Sequence, residues 1–402
     1  MNEKKTLDLF AVASVPLVMT LGNSMLIPVL PMMEKELGIS PFQSSLIITV
    51  YSLIAIILIP IAGYLSDRFG RKKIIVPSLI ITAIGGLVSG LAAMLMNESF
   101  ILILIGRIIQ GIGASGTFPV VLPLIGDMYK EDQKVSAGLG MVETSNTIGK
   151  VLSPIIGASL AMITWYTPLL SIPIFSVLSL LSVIFLLKVP KTDEDTPLDF
   201  TEFLKGIQNI FIQKGRWLYG IFAIGGIQMY ILFGVLFHLS TLLEESHNQT
   251  GIIKGLILAI PLLALSTTSY ITGKNIGSNK AHMKWITFIG CIGLTLSIFL
   301  ISFSEHIVWI ISGLILAGVG IGLSLPCLDT FITAGIDKQR RGTISSIYSS
   351  ARFIGVALGP PVFAILIKYS HQFLFLSAAS VGLIASFLAL LVIRPKNKST
   401  NP

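Results

Sequence analysis

Apolar residues fill this chain in stretches of about twenty, parted by short polar joints, almost without pause from Leu7 to Ile393. A helix needs about 20 mostly apolar residues to cross roughly 30 Å of hydrocarbon. Twelve such spans fit, at residues 7–30, 44–65, 74–96, 100–122, 135–163, 166–187, 217–239, 252–272, 285–303, 307–328, 343–367 and 373–393. The predicted fold class is an all-α membrane protein with 12 transmembrane helices. The first stretch is longer than a signal-peptide core and runs past its prolines, so it is expected to stay as a helix.

An even number of spans puts both termini on one side, and the basic residues choose that side. Of 28 Lys and Arg, 22 fall in its termini and joints, 3 fall opposite (Lys35, Lys254, Lys368) and 3 lie inside spans. Positive charge is retained in the cytoplasm, which predicts a multi-pass cell-membrane protein with both termini cytoplasmic. Composition agrees: 53% of residues are hydrophobic and only 12% charged, too apolar for a soluble domain of 402 residues. The formal net charge of +8 then reflects topology. Basic joints such as Arg71-Lys72-Lys73 and Arg340-Arg341 are expected to meet membrane lipid headgroups, with no nucleic-acid role. No cofactor or metal site is expected, because Cys291 and Cys327 lie inside spans and no metal-ligand spacing occurs. An enzyme or ATP-driven pump is argued against by the lack of a phosphate-binding glycine loop after a strand.

The joint from Lys188 to Arg216 is much longer than the others and carries Asp193-Glu194-Asp195 followed by Pro197. It divides the chain into an N-terminal six-helix bundle (1–188), a cytoplasmic linker (189–216) and a C-terminal six-helix bundle (217–402). Within the linker, Phe200, Phe203, Leu204, Ile207, Ile210 and Phe211 recur at helical spacing, as an interfacial amphipathic helix requires. The halves repeat at a shift of 207 residues. Gly106, Gly111, Gly113 and Pro119 fall on Gly313, Gly318, Gly320 and Pro326, and Pro154 falls on Pro361. Two pseudo-symmetric bundles in parallel orientation are the implied plan.

Three motifs carry a family resemblance over essentially the whole chain. Between spans two and three, Gly63-Tyr64-Leu65-Ser66-Asp67-Arg68-Phe69-Gly70-Arg71-Lys72-Lys73 resembles the G-x-L-x-D-R-x-G-R-R/K signature of the major facilitator superfamily. In span four, Arg107-Ile108-Ile109-Gln110-Gly111-Ile112-Gly113 is similar to that family's R-x-x-Q-G-x-G element. In span five, Gly140, Gly149, Ser153-Pro154 and Gly157-Ala158 resemble the motif of its drug:proton antiporters, with Ser153 and Ala158 where glycine is usual. The first-span pattern Leu21-Gly22 through Pro28-Val29-Leu30-Pro31 is similar to the same subgroup. The resemblance implies a monomeric, proton-coupled exporter of small organic molecules working by alternating access. It also implies that Pro154, with Gly149 and Gly157, bends the fifth helix and helps seal the cavity against proton leak, and that Pro360-Pro361 does the matching job in span eleven. Two other classes stay open: an importer or facilitator of the same fold, and a receptor or scaffold that does not transport.

The inner edge of spans two to four suggests a gate. The C-terminal ends of spans two and four, on that side, carry negative partial charge, and Arg68, Arg71, Lys72 and Lys73 sit against them. With Gly63, Asp67, Gly70 and Asp127, they are expected to latch the two halves in the outward-facing state and release on rocking. An orientation signal alone would explain the cations but not Asp67.

Four ionisable residues lie well inside spans: Arg107, Glu143, Lys150 and Arg352. Charges in hydrocarbon cost several kcal/mol, so they are expected to face the bundle interior. Glu143, Asn146 and Lys150 are spaced three and four apart and form one polar stripe. At 1.5 Å per residue, Glu143 lies about 12 Å and Lys150 about 22 Å from the inner edge, and Arg107 about 10 Å from the outer. As the only acid placed deep, Glu143 is the expected proton carrier, with Arg107 and Lys150 as partners. A static buried ion pair is the alternative. The expected substrate cavity comprises Asn23, Arg107, Gln110, Glu143, Asn146, Lys150 and Arg352. Three cations against one acid favour anionic or neutral amphiphiles, such as a catecholate siderophore of the bacillibactin type or an acidic drug.

Overall fold

The structure, a computed structural model, describes residues 3–129, 132–188, 208, 215–276, 279–335 and 338–393. The linker at 189–216, with its expected amphipathic helix, falls almost entirely outside them. The helices are α1 (Glu3–Ser24), α2 (Leu30–Leu37), α3 (Pro41–Phe69), α4 (Arg71–Leu95), α5 (Phe100–Ser115), α6 (Phe118–Met128), α7 (Asp132–Ala161) and α8 (Thr167–Phe185). The second half follows with α9 (Arg216–Glu245), α10 (Gly251–Asn275), α11 (Lys280–Ile301), α12 (Ile307–Gly335), α13 (Lys338–Leu366) and α14 (His371–Leu391). Eleven paths through these helices are long and apolar enough to cross a membrane. The twelfth is α7, whose 30 residues include the polar run Glu143 to Thr147 and Lys150.

Two expected spans are broken, each beside a proline. The first becomes α1, a 3₁₀ turn (Ile27–Val29) and α2. In α-helical register the carbonyl of Ile27 would look to the N–H of residue 31, but Pro31 has none. The fourth breaks at Gly116-Thr117, and α6 restarts with Pro119 in its first turn, where the missing N–H has no helical bond to lose. Several ends also run past the expected limits: α9 continues to Glu245 and α12 to Gly335. Glu244 and Asp329, expected in joints, therefore lie within helices.

The two halves meet where α3 packs against α13 and α7 against α10. Orientation labels follow the basic residues: the end holding Asp67 and Lys274 is the inner end, and that holding Glu34 and Glu244 the outer. Around the outer end the halves are pinned together. Lys254 Nζ, buried in α10, donates to Glu244 Oε2 at 2.8 Å and to the Pro28 carbonyl at 2.6 Å. Lys35 Nζ reaches Glu244 Oε1 at 3.1 Å, and Ser240 Oγ donates to the Ile27 carbonyl at 2.9 Å. The Ile27 carbonyl freed by Pro31 and its neighbour, the Pro28 carbonyl, are thus acceptors for side chains of the opposite half. Lys254, counted among the outer-side cations at the edge of its span, is a buried member of this seal.

The small-residue ridge of α7 packs on α1. A side chain at Gly149 would meet Thr20 Cβ at 3.2 Å, and one at Gly157 would run into the Met25 carbonyl. Ser153 Oγ donates to its own helix at Gly149 O, 2.5 Å away. Gly157→Leu should therefore separate α7 from α1 and cost about 1–3 kcal/mol through overpacking. Thermal unfolding of the purified variant measures this, and an unchanged midpoint contradicts it.

Candidate functional site

The inner face of α7, the break in α1 and the middle of α13 enclose a small cavity of about 120 Å³ between the halves. Asn23, Asn146 and Lys150 line it from one half and Ser349 and Arg352 from the other, among apolar residues including Tyr51, Phe233 and Phe353. Lys150 and Arg352 are its cations, and no carboxylate is among the lining residues. Thr20 Oγ1 donates to Asn146 Oδ1 at 2.7 Å, which holds the polar stripe of α7 against α1.

Towards the inner end this space gives way to a larger cleft of about 740 Å³, walled by α7, α10 and α12. Glu143, Lys150, Asp329 and Arg352 all line it, together with Lys274. Asn146 Nδ2 donates to Glu143 Oε1 at 3.3 Å, one turn along α7. Asp329 Oδ1 stands 3.8 Å from Arg352 Nη1, and the Arg352 guanidinium lies over the Tyr348 ring at 5.7 Å. The expectation of a single deep acid is corrected here: among the described residues two line this cleft, one from each half. Asp329 was missed because α12 outlasts its apolar stretch by seven residues, and the repeat gave no hint, since shifting back by 207 residues lands on Leu122.

Arg107 and Gln110 do not line either space. Arg107 is fully buried one layer behind the wall, where its guanidinium ties three helices together. Nε donates to the Ile47 carbonyl at 2.8 Å, Nη2 to Asn23 Oδ1 at 2.8 Å, and Nη1 to the Gly22 carbonyl at 3.2 Å and to Gln110 Oε1. The Tyr51 ring lies 4.4 Å from the guanidinium carbon, a cation–π contact that supplies part of the missing counter-charge. Asn23 is the bridge: its oxygen takes Arg107 while the residue faces the cavity. Gln228, donating to Ser324 Oγ at 2.6 Å, and His238, edge-on to Phe375, sit in the second half away from both spaces.

At the inner edge Arg71 is the centre of a cluster. It pairs with Asp67 one turn earlier, with Asp127 Oδ2 through Nε at 3.0 Å, and with Ser66 Oγ at 2.7 Å. All four residues belong to one half. Gly70, at φ +99°, makes the turn between α3 and α4 that lets Arg71 fold back, a conformation other residues adopt only under strain. Gly63 faces the other half, where a side chain would meet Ser346 Oγ at 3.2 Å. Arg68 stacks by its guanidinium on Phe69 at 5.6 Å.

Comparison with known proteins now decides the family: the model of the Major Facilitator Superfamily matches residues 12–360. The chain belongs to the major facilitator superfamily. Within the family it is similar to the bacillibactin exporter of Bacillus subtilis (strain 168), 53% identical over 390 residues covering 97% of each chain. It is more distantly similar to the class H tetracycline resistance protein of Pasteurella multocida, 26% identical over 87% of this chain and 86% of that one. The human organic anion transporter MFSD10 (TETRAN) has the same fold, with a TM-score of 0.73, 18% identity and coverage of 97% of this chain and 100% of that one. The superfamily's twelve-helix transporter fold is therefore the fold of this chain, a multi-pass membrane protein.

Proposed function

We propose that this transporter exports a siderophore of the bacillibactin kind from the cytoplasm across the cell membrane, in exchange for protons, with both termini on the cytoplasmic side. The carrying observation is that Lys150 and Arg352 converge from opposite halves on the small cavity, while the carboxylates beside them, Glu143 and Asp329, line only the adjoining cleft; two acids and two lining cations replace the expected three cations and one acid. Asp329 offsets part of this charge from the cleft side, but on the cavity side only the cations are presented, which favours an acidic ligand, and Asn23 and Asn146 add hydrogen-bonding capacity for its hydroxyls. The 53% identical relative, matched along its whole length, supports the same substrate class.

Glu143 is the proton carrier in this reading. It lines the cleft open to the inner side, within one turn of Asn146 and two of Lys150, so rocking changes which face it meets. Asp329, 3.8 Å from Arg352, offsets part of its charge at rest. The Arg71 cluster, closed within one half here, exchanges to the opposite half when the inner end shuts. Outward movement of an anion and inward movement of a proton each run down an inside-negative potential, worth about 2.3 kcal/mol per charge per 100 mV. A 1:1 exchange is then driven by about 4.6 kcal/mol at that potential, against about 2.3 for a neutral substrate.

Everted membrane vesicles test the reading. Siderophore uptake driven by an imposed pH gradient is expected in the wild-type protein and is expected to fall to the empty-vesicle level in Glu143→Gln. Uptake by Glu143→Gln at the wild-type rate, still dependent on the gradient, removes Glu143 from the mechanism. A wild-type protein that carries siderophore only into whole cells reverses the direction.

A further inference from the structure

The two seams between the halves are closed to different depths. Along α3 and α13 the contact runs from the outer half to the inner end. Thr49 Oγ1 donates to the Ala357 carbonyl at 2.8 Å, the Tyr51 and Phe353 rings stand 6.4 Å apart, and Gly63 abuts Ser346. Along α7 and α10 closure is confined to the outer end. A side chain at Gly255 would come within 2.6 Å of the Pro154 carbonyl, and one at Gly251 within 2.8 Å of the Met162 sulfur. Towards the inner end Gly140 has nothing within 4 Å, and the 740 Å³ cleft opens there.

The mouth of that cleft lies on the outside of the bundle. Ile148 and Leu152 of α7 and Leu263 and Tyr270 of α10 line it, and they are 46%, 39%, 55% and 64% exposed. Side chains of that kind on a transmembrane helix face acyl chains. The same cleft ends on Lys150 and Arg352. Its volume falls in the range of about 300–1,000 Å³ that holds drug-sized ligands, whereas the 120 Å³ cavity above does not.

We propose that the α7/α10 cleft is a lateral access slot through which an acidic amphiphile passes from the inner leaflet, its anionic end moving to Lys150 and Arg352 while its apolar body is still among lipid chains. The inference rests on the exporter reading and adds to it the route and the amphiphilic class of the substrate. An acid dissolved in the inner leaflet is already concentrated there and pre-oriented with its charge at the headgroups. Lys274, which also lines the cleft towards the inner end, supplies positive charge along its path.

The test uses the full chain in proteoliposomes and a catechol carboxylic acid bearing a dansyl-labelled alkyl tail. Ile148→Trp/Leu263→Trp narrows the mouth without touching Lys150 or Arg352. A route, unlike a binding contact, controls how fast the ligand comes and goes. On- and off-rates by stopped flow should both fall about tenfold while Kd stays within about twofold of wild type. Leu178→Trp, on the lipid face of α8, should change neither. Should the double variant not fold, bimane attached to Ser266→Cys inside the cleft reports independently: phospholipids brominated in the acyl chain should quench it. Unaltered on-rates in a double variant that binds the probe, or quenching by aqueous iodide alone, overturn the slot. A wild-type protein that does not bind the probe overturns the exporter reading and the slot with it.

Discussion

Glu244→Gln should swing the outer end open. In the structure this carboxylate answers two ammonium groups, Lys254 at 2.8 Å and Lys35 at 3.1 Å, and Lys254 is almost wholly buried. Removing one partner of a buried charge pair leaves the other uncompensated, a penalty of about 2–5 kcal/mol. That penalty falls on the outer-closed state alone, because opening hydrates Lys254. It corresponds to a shift of roughly one and a half to three and a half orders of magnitude in the inward/outward equilibrium. Spin labels at the exposed positions Glu36 and Ser246, one on each half, should show a new long-distance population in Glu244→Gln. Lys35→Gln is the comparison: its ammonium is mostly exposed, and an exposed pair contributes about 0–1 kcal/mol. Its distance distribution should barely move. Equal effects from the two substitutions contradict the assignment of Lys254 as the buried centre of the seal.

Arg107→Ala should damage stability more than substrate binding. The substitution removes a buried side chain and strands the Ile47 and Gly22 carbonyls, Asn23 and Gln110 without their donor. Each unsatisfied buried group costs about 1–3 kcal/mol, and partial rearrangement brings the total to about 3–5 kcal/mol. Arg107→Lys keeps the charge but offers a single point donor in place of a planar fork, so it should recover only part of the loss. Lys150→Gln is expected to do the reverse. It faces both the cavity and the cleft, so the KM for an acidic substrate should rise about tenfold or more while thermal stability stays near wild type. Thermal unfolding and vesicle flux on the same preparations separate the two. An Arg107→Ala protein of normal stability with a raised KM places Arg107 in the cavity wall after all.

These contrasts mark where sequence reasoning reached its limit. Arg107, Lys150 and Arg352 look alike in the chain, since each is a cation inside an apolar stretch. Which of them meets substrate depends on helix rotation and on what stands in front. Tyr51 and Asn23 stand in front of Arg107, and nothing in the spacing of its own helix reveals that. Asp329 and Glu244 escaped notice for a related reason. A hydropathy window stops at the first charges, whereas a helix continues as long as its neighbours cover its polar groups.

What the chain determined alone was the solvent and the count. Apolar runs of membrane length, a one-sided bias of Lys and Arg and a repeat of 207 residues specify twelve helices in two related bundles, because hydrocarbon tolerates few other backbones. The motif Gly63 to Lys73 located the turn between α3 and α4, whereas the break of the first helix at Pro28 and Pro31 came only with the structure. Tertiary structure decided everything that depends on packing distance. It paired the Ile27 and Pro28 carbonyls at that break with Ser240 and Lys254 of the other half, and it turned Arg107 into a brace. It also closed one seam along its length while leaving the other open at the inner end. Charges separated by two hundred residues act on one another only when helices bring them within a few ångströms, and the chain does not state those distances.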